Sequence, residues 1–373
     1  MAYEEAMYLV GRRHEVWAVT QDSTCRYPEY CVDGRIHLLT YQTPDMPLWN
    51  PVRAWAHQKR AERLLRKHLP GGVDIVHAHA LHRYVAASKC FREKARFCYS
   101  VHSPVRLELE ASSRGASGRV RLYLRLAARA NHHLEHQCLA KADCITAFFE
   151  HTQTLLGQLH GEAIAGKTRA IPGLIDAERF QIEADRPKAR ALLGWPVDEP
   201  IFFTFRRLVP RAVLDRLTQA ASCVRAAGLK FRLIVGGSGP LLQGLQQLTS
   251  ALKLEECIRF LGFAPEEELP SLHAAADAFI LPTAELECFG LIALESLACG
   301  RPVLATPVCA IPDLVRRFEK ERSLPTNREA RLHLFRSWSR LRGEDRHFSC
   351  GDVAGPSVDF ACLSDKRESR VLS

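Results

Sequence analysis

Along the first half of the chain, short apolar runs alternate with longer stretches in which apolar residues recur every three or four positions. HEVWAVT (14–20), VDIVHAH (73–79), ARFCYSVH (95–102) and ADCITAF (142–148) have the length and hydrophobicity of strands covered on both faces. Helical patterns lie between them, such as Pro51–Lys67 and Leu122–Ala140. The second half repeats the alternation. PIFFTFRRL (200–208), FRLIVGG (231–237), IRFLGF (258–263), DAFILPT (277–283) and PVLATPV (302–308) read as strands. Helices are predicted near Asp215–Ala227, Pro240–Lys253, Pro265–Ala276 and Gly290–Cys299. This order implies an α/β fold with parallel sheets. RAIPGLIDAERF (169–180), with the polar QIEADRPKAR after it, has the Pro and Gly of a connection. The expected organisation is therefore a Rossmann-like domain over 1–172, a linker over 173–198 and a second Rossmann-like domain over 199–318. Beyond about Val315 the apolar residues keep neither a strand nor a helix period, so 319–373 reads as an irregular or disordered tail.

Composition narrows the class. A chain of 373 residues, 47% hydrophobic and 25% charged, suits two soluble globular domains. No run approaches the roughly 20 apolar residues that cross a bilayer, and the N-terminus lacks a basic segment followed by an apolar core. A cytoplasmic location is expected. The thirteen cysteines are odd in number, scattered and free of CxxC pairs, which favours reduced thiols over a disulfide framework. The net charge of +9 is compatible with a phosphorylated small molecule, an anionic membrane face or nucleic acid. Its cations are dispersed and not interleaved with aromatics, so nucleic acid is not expected as a partner. Peripheral membrane contact stays compatible with the charge, without an amphipathic anchor to support it.

Candidate chemistry concentrates in Leu281–Val315. A strand ends at Pro282, a loop carries Glu287, and a helix starts around Gly290 with Glu295 inside it. The unpaired N–H groups of Gly290, Leu291 and Ile292 and the positive end of the helix dipole make an anion site suited to a diphosphate. VDIVHAH and SVHSP leave histidines at strand ends, the edge where open α/β sheets gather ligands. His77, His79 and His82, like His132, His133 and His136, lack a Cys or carboxylate at a known ligand spacing, so no metal is expected.

Glu287 and Glu295, separated by seven residues, with FGL between them and ACGRPVLAT after them, resemble the ExxxxxxxE motif of the retaining GT-B glycosyltransferases of family 4 (glycosyl transferases group 1). LIVGGSGPLLQGLQQL (233–248) and IRFLGFAPEEELPSLHAAADAFILPT resemble the segments that precede that motif in the family, in the same order. The resemblance implies a GT-B fold, two Rossmann-like domains whose parallel sheets face an interdomain cleft, with no metal or other cofactor. It implies a nucleotide-diphosphate sugar as donor and a carbohydrate, lipid-linked or small-molecule acceptor. Glu287 and His102 would be catalytic, holding the donor sugar. Glu295 would bind the ribose, and Arg206, Arg207, Arg211, Gly237, Phe263, Phe289, Gly290, Leu291 and Ile292 would complete the donor site. With no evident covalent nucleophile, it implies front-face displacement at the anomeric carbon.

The chain departs from the family pattern in three places. It begins inside what resembles the family's first helix, so the first strand and its glycine-rich loop are expected to be missing. Ala212 stands where FRRLVPRAVLDRL would carry a phosphate-gripping lysine, with Arg207 in the arginine place. CAIPD (Cys309–Asp313) replaces GGxPE, and the resemblance runs out at about residue 318. These departures leave a second reading, a catalytically impaired nucleotide-sugar-binding remnant. A nicotinamide enzyme is disfavoured because no strand is followed by GxGxxG with an acidic residue about 20 positions on. A sugar-nucleotide epimerase would need a different residue set.

Overall fold

The computed structural model describes residues 2–22, 25–43, 51–114, 116–171, 175–181, 185–287, 290–311, 314 and 362–363. The chain divides into two compact units, Met1–Leu174 and Ile175–Ser373.

The first unit runs α1 (Ala2–Gly11), β1 (Val16–Gln21), β2 (Tyr30–Asp33), β3 (Ile36–Tyr41), α2 (Pro51–His68), β4 (Ile75–Ala78), α3 (Leu81–Phe91) and β5 (Arg96–Val101). It continues with α4 (Val105–Arg114), α5 (Gly118–Lys141), β6 (Cys144–Ala147), α6 (Glu150–His160), α7 (Glu162–Lys167) and β7 (Thr168–Ala170). β4, β5, β6 and β7 form a parallel sheet in that order. β1, β3 and β2 form a second sheet, in which β2 and β3 are an antiparallel hairpin turning at Gly34 and Arg35. Gly34 takes the left-handed conformation that such a turn requires. The four apolar runs expected to be strands are strands, and the β2–β3 hairpin is added to them. The core joins Leu81, Tyr84 and Phe91 of α3 to Phe97, Tyr99 and Val101 of β5 and Leu139 of α5.

The second unit runs α8 (Ala177–Gln181), α9 (Arg186–Leu193), β8 (Ile201–Phe205), a 3-10 turn at Pro210–Ala212, α10 (Leu214–Ala226), β9 (Arg232–Gly236), α11 (Leu242–Ala251) and β10 (Ile258–Gly262). A 3-10 turn at Glu266–Glu268, α12 (Leu269–Ala275), β11 (Ala278–Leu281), α13 (Leu291–Ala298), β12 (Val303–Ala305) and β13 (Cys362–Leu363) follow. The strand order is β10-β9-β8-β11-β12-β13, parallel except that β13 pairs antiparallel to β12. Phe202, Phe203 and Phe279 at the sheet centre are fully buried. Each of the five expected strands is present. The stretch read as a linker contains α9, whose Arg190 donates to Asp277 Oδ2 at 2.6 Å and to the carbonyls of Ala275, Pro196, Val197 and Glu199. Most of the tail read from the sequence lies outside the described residues. Among those described, no helix is long and apolar enough to cross a membrane.

Candidate functional site

In the second unit the chain moves outward from β8 through β9 to β10, then returns to the other side of β8 with β11 and β12. The order reverses between β8 and β11. In an open parallel sheet, the C-terminal ends of two such strands bound the crevice where ligands bind. Arg206 follows β8, and Pro282 to Glu287 follow β11.

Glycine sets how closely the loops after β8 and β9 approach. A Cβ on Gly237 would lie 2.0 Å from Arg206 O, and one on Gly239 would lie 2.3 Å from Leu208 O. Gly237 also carries φ +104, a region L side chains rarely adopt. The two loops therefore keep hydrogen-bonding past the strands, through Arg206 N to Gly236 O at 3.2 Å and Leu208 N to Ser238 O at 2.9 Å.

Arg206 is spent on the loop after β11. Its Nη1 donates to Pro282 O at 2.5 Å and to Thr283 Oγ1 at 2.6 Å, and its Nη2 reaches Glu287 Oε2 at 3.3 Å. Thr283 Oγ1 donates to the same Glu287 oxygen at 3.2 Å. Burial pulls the guanidinium pKa below its usual value, against the raising effect of the Glu287 charge. Arg211 adds a second tie, with Nη1 donating to Leu286 O at 3.3 Å and its own carbonyl accepting from Ala284 N. Leu286 sits at φ +58, so the residue before Glu287 is held in a strained conformation by these bonds. Arg206 is thus the arginine that ties the Glu287 loop, while Arg207, which the sequence pattern put in the phosphate-gripping place, is exposed. Ala212 has no exposed surface and packs in the core with Leu208, Leu214 and Leu217.

Gly290 caps α13 in the left-handed conformation, which leaves the N–H groups of Leu291 and Ile292 at the helix start. Glu295, one turn further on, is partly exposed, with Oε2 3.7 Å from Nε2 of the fully buried His273. His273 packs among Phe180, Phe203 and Phe279, and burial pushes its pKa down despite the nearby carboxylate. Phe263, just past β10, is 79% exposed, which excludes the core role its type suggests. Phe289 lies outside the described residues. The second unit therefore gathers Arg206, Arg211 and Glu287 at one sheet edge.

His102 belongs to the first unit, just past β5, where its Nε2 lies 3.0 Å from Nδ1 of His79. Burial is the main reason its pKa is lowered to about 4, so the ring is neutral near pH 7. His77 and His79 have no carboxylate at a ligand spacing along the chain, but the fold brings one to them. Glu5, on α1, places Oε2 3.6 Å from His77 Nδ1 and 3.4 Å from His79 Nε2. Its distance along the chain hid it from a search by ligand spacing. A cavity of about 570 Å³ in the same unit, lined by Tyr27, Glu29, Tyr41, Arg60 and Arg63 among others, holds none of the residues singled out from the sequence.

Two family descriptions match the chain, Glycosyltransferase Family 4 over residues 1–179 and Glycosyl transferases group 1 over residues 185–346. The chain is 33% identical over 183 residues to a GDP-mannose-dependent alpha-(1-6)-phosphatidylinositol monomannoside mannosyltransferase of Mycolicibacterium smegmatis, covering 47% of each protein. It is 32% identical over 278 residues to a D-inositol 3-phosphate glycosyltransferase of Geodermatophilus obscurus, covering 71% of this chain and 59% of that protein. The chain thus spans about half the length of the curated relatives it matches. Sucrose-phosphate synthase from Thermosynechococcus elongatus superposes with a TM-score of 0.71 at 20% identity, over 91% of this chain and 85% of that one, which shows a shared fold. The ordered motifs of the second unit, the two matched families and the shared architecture place the chain among the GT-B glycosyltransferases of family 4.

Proposed function

We propose that the chain transfers a sugar from a nucleotide-diphosphate donor to an acceptor hydroxyl, with retention at the anomeric carbon. The observation that carries this reading is the loop after β11, where Arg206 and Thr283 together hold Glu287 at the switch point of the sheet. An oriented carboxylate there is placed to act on the sugar of a donor whose diphosphate lies at the start of α13. Glu295 would take the ribose hydroxyls, and exposed Phe263 would meet the base. The anomeric carbon loses its bond to the leaving phosphate oxygen and gains one to the acceptor oxygen on the same face. The acceptor proton passes to the departing phosphate. Arg211 and the α13 amides would stabilise the charge that develops there. His102 would serve the acceptor side from the edge of its own sheet. Such a donor is made in the cytoplasm, which is where we place the reaction, and no step of it calls on a metal.

A second reading, nucleotide-sugar binding with turnover lost, is favoured by Ala212, whose buried methyl replaces a phosphate-binding amine. Thermal shifts with UDP, GDP and ADP, alongside hydrolysis of UDP-glucose and GDP-mannose, separate the two. A nucleotide at a hundred times its Kd stabilises the folded state by about 2.7 kcal/mol. The proposal expects such a shift with one nucleotide, its loss in Glu295→Ala, and a fall in hydrolysis of roughly 10²-fold or more in Glu287→Gln. A shift without hydrolysis selects the binding-only reading. Absence of any shift in a folded sample overturns both.

A further inference from the structure

We propose that Glu5, His77 and His79 form a binding site for a divalent transition-metal ion of the zinc class. Glu5 Oε2, His77 Nδ1 and His79 Nε2 all lie within 4.8 Å of one another. The carboxylate oxygen is 3.6 and 3.4 Å from the two nitrogens. These separations are long for hydrogen bonds. They match a shared ion, since tetrahedral bonds of about 2.0–2.1 Å set ligand atoms roughly 3.3 Å apart. Glu5 Oε2 is shielded from solvent and accepts no hydrogen bond among the described residues. An unpartnered carboxylate oxygen between two imidazoles is what a cation would complete.

The outer contacts of both rings are already made. His77 Nε2 lies 2.7 Å from Ser100 Oγ, which lies 2.5 Å from Thr146 Oγ1. His79 Nδ1 lies 3.0 Å from His102 Nε2. With the proton of each ring donated to that outer partner, the lone pairs of His77 Nδ1 and His79 Nε2 both face Glu5. Outer hydrogen bonds of this kind fix the tautomer and aim of a metal-binding histidine. Two imidazoles and one carboxylate favour zinc, cobalt or nickel over magnesium or calcium. Three protein ligands leave a fourth position for water or another oxygen. The site meets the proposed function only at His102, the outer contact of His79, and the nucleotide part of that reading rests on residues of the second unit.

The test is a Co²⁺ titration of the full chain after chelator treatment, read by visible absorption, with competition by Zn²⁺ and no sugar nucleotide present. The expected result is one equivalent with low-coordinate cobalt bands, displaced by Zn²⁺. Glu5→Gln and His77→Gln, each shown to be folded by circular dichroism, should weaken binding more than tenfold. Ser100→Ala, which removes only an outer contact, should weaken it by roughly tenfold. Failure of the wild-type chain to bind either ion at 100 times the protein concentration overturns the site. Binding that Glu5→Gln and His77→Gln leave unchanged overturns it as well.

Discussion

Gly237 shows how much of the donor-side geometry rests on a missing methyl. A Cβ there would meet Arg206 O at 2.0 Å, and the backbone already has φ +104. Gly237→Ala should therefore destabilise the second unit by about 3 kcal/mol, the sum of clash and left-handed strain, read as a lower urea midpoint. The motif GGSGP makes this position visible in the sequence, because Gly-rich turns after strands are where backbones approach closely. The choice between Arg206 and Arg207 is not visible there. Both residues follow β8, and which of them ties the Glu287 loop depends on the path of the backbone past the strand and on β11 lying beside β8, neither of which local sequence encodes. Glu5 is hidden for a related reason. Its meeting with His77 and His79 depends on how α1 packs, which no local spacing encodes.

At the scale of elements, runs buried on both faces are legible because a continuous hydrophobic stretch of strand length, bounded by turn residues, fits the interior of a parallel sheet. The β2–β3 hairpin escapes because YCVD is short and mostly exposed, and the turn signal at Gly34 lies beside no long apolar run. The strongly basic sequence of α9, RPKARALL, hides it within an apparent linker. Its anchor is a buried ion pair. Arg190, with a side chain 3% exposed, and Arg186 both pair with Asp277, which also accepts from Ile201 N at 2.7 Å. Arg190→Met should cost about 3 kcal/mol in chemical denaturation, because the carbonyls it serves lose a donor and Asp277 loses its most buried partner. Arg186→Met, at a more exposed position, should cost clearly less.

For the whole molecule, the response to acid should differ between the units. His57 and His102 have pKa values lowered to about 4, chiefly by burial. Burial lowers those of His77, His82 and His132 as well. All five are in Met1–Leu174, whereas the second unit has only His273 among its described residues. A histidine with a depressed folded pKa binds more protons when unfolded. Its contribution is complete above the unfolded value of about 6.5 and is lost as pH falls toward the folded value. Hydrogen exchange followed from pH 7 to 4.5 should therefore show protection falling first in the α2, α3 and β4 region, after correction for the intrinsic rate. Equal loss in both units would contradict this assignment.

The pairing of β8 with β9 runs on past both strands, so the segment carrying Arg206 takes its shape when the sheet forms. A ligand arriving there has little chain left to immobilise, and its binding free energy is not eroded by ordering a loop. The same rigidity narrows what inheritance can change. The backbone carbonyl that faces Gly237 would be there whatever residue followed β8, so position 237 stays closed to any side chain even if its neighbour changes.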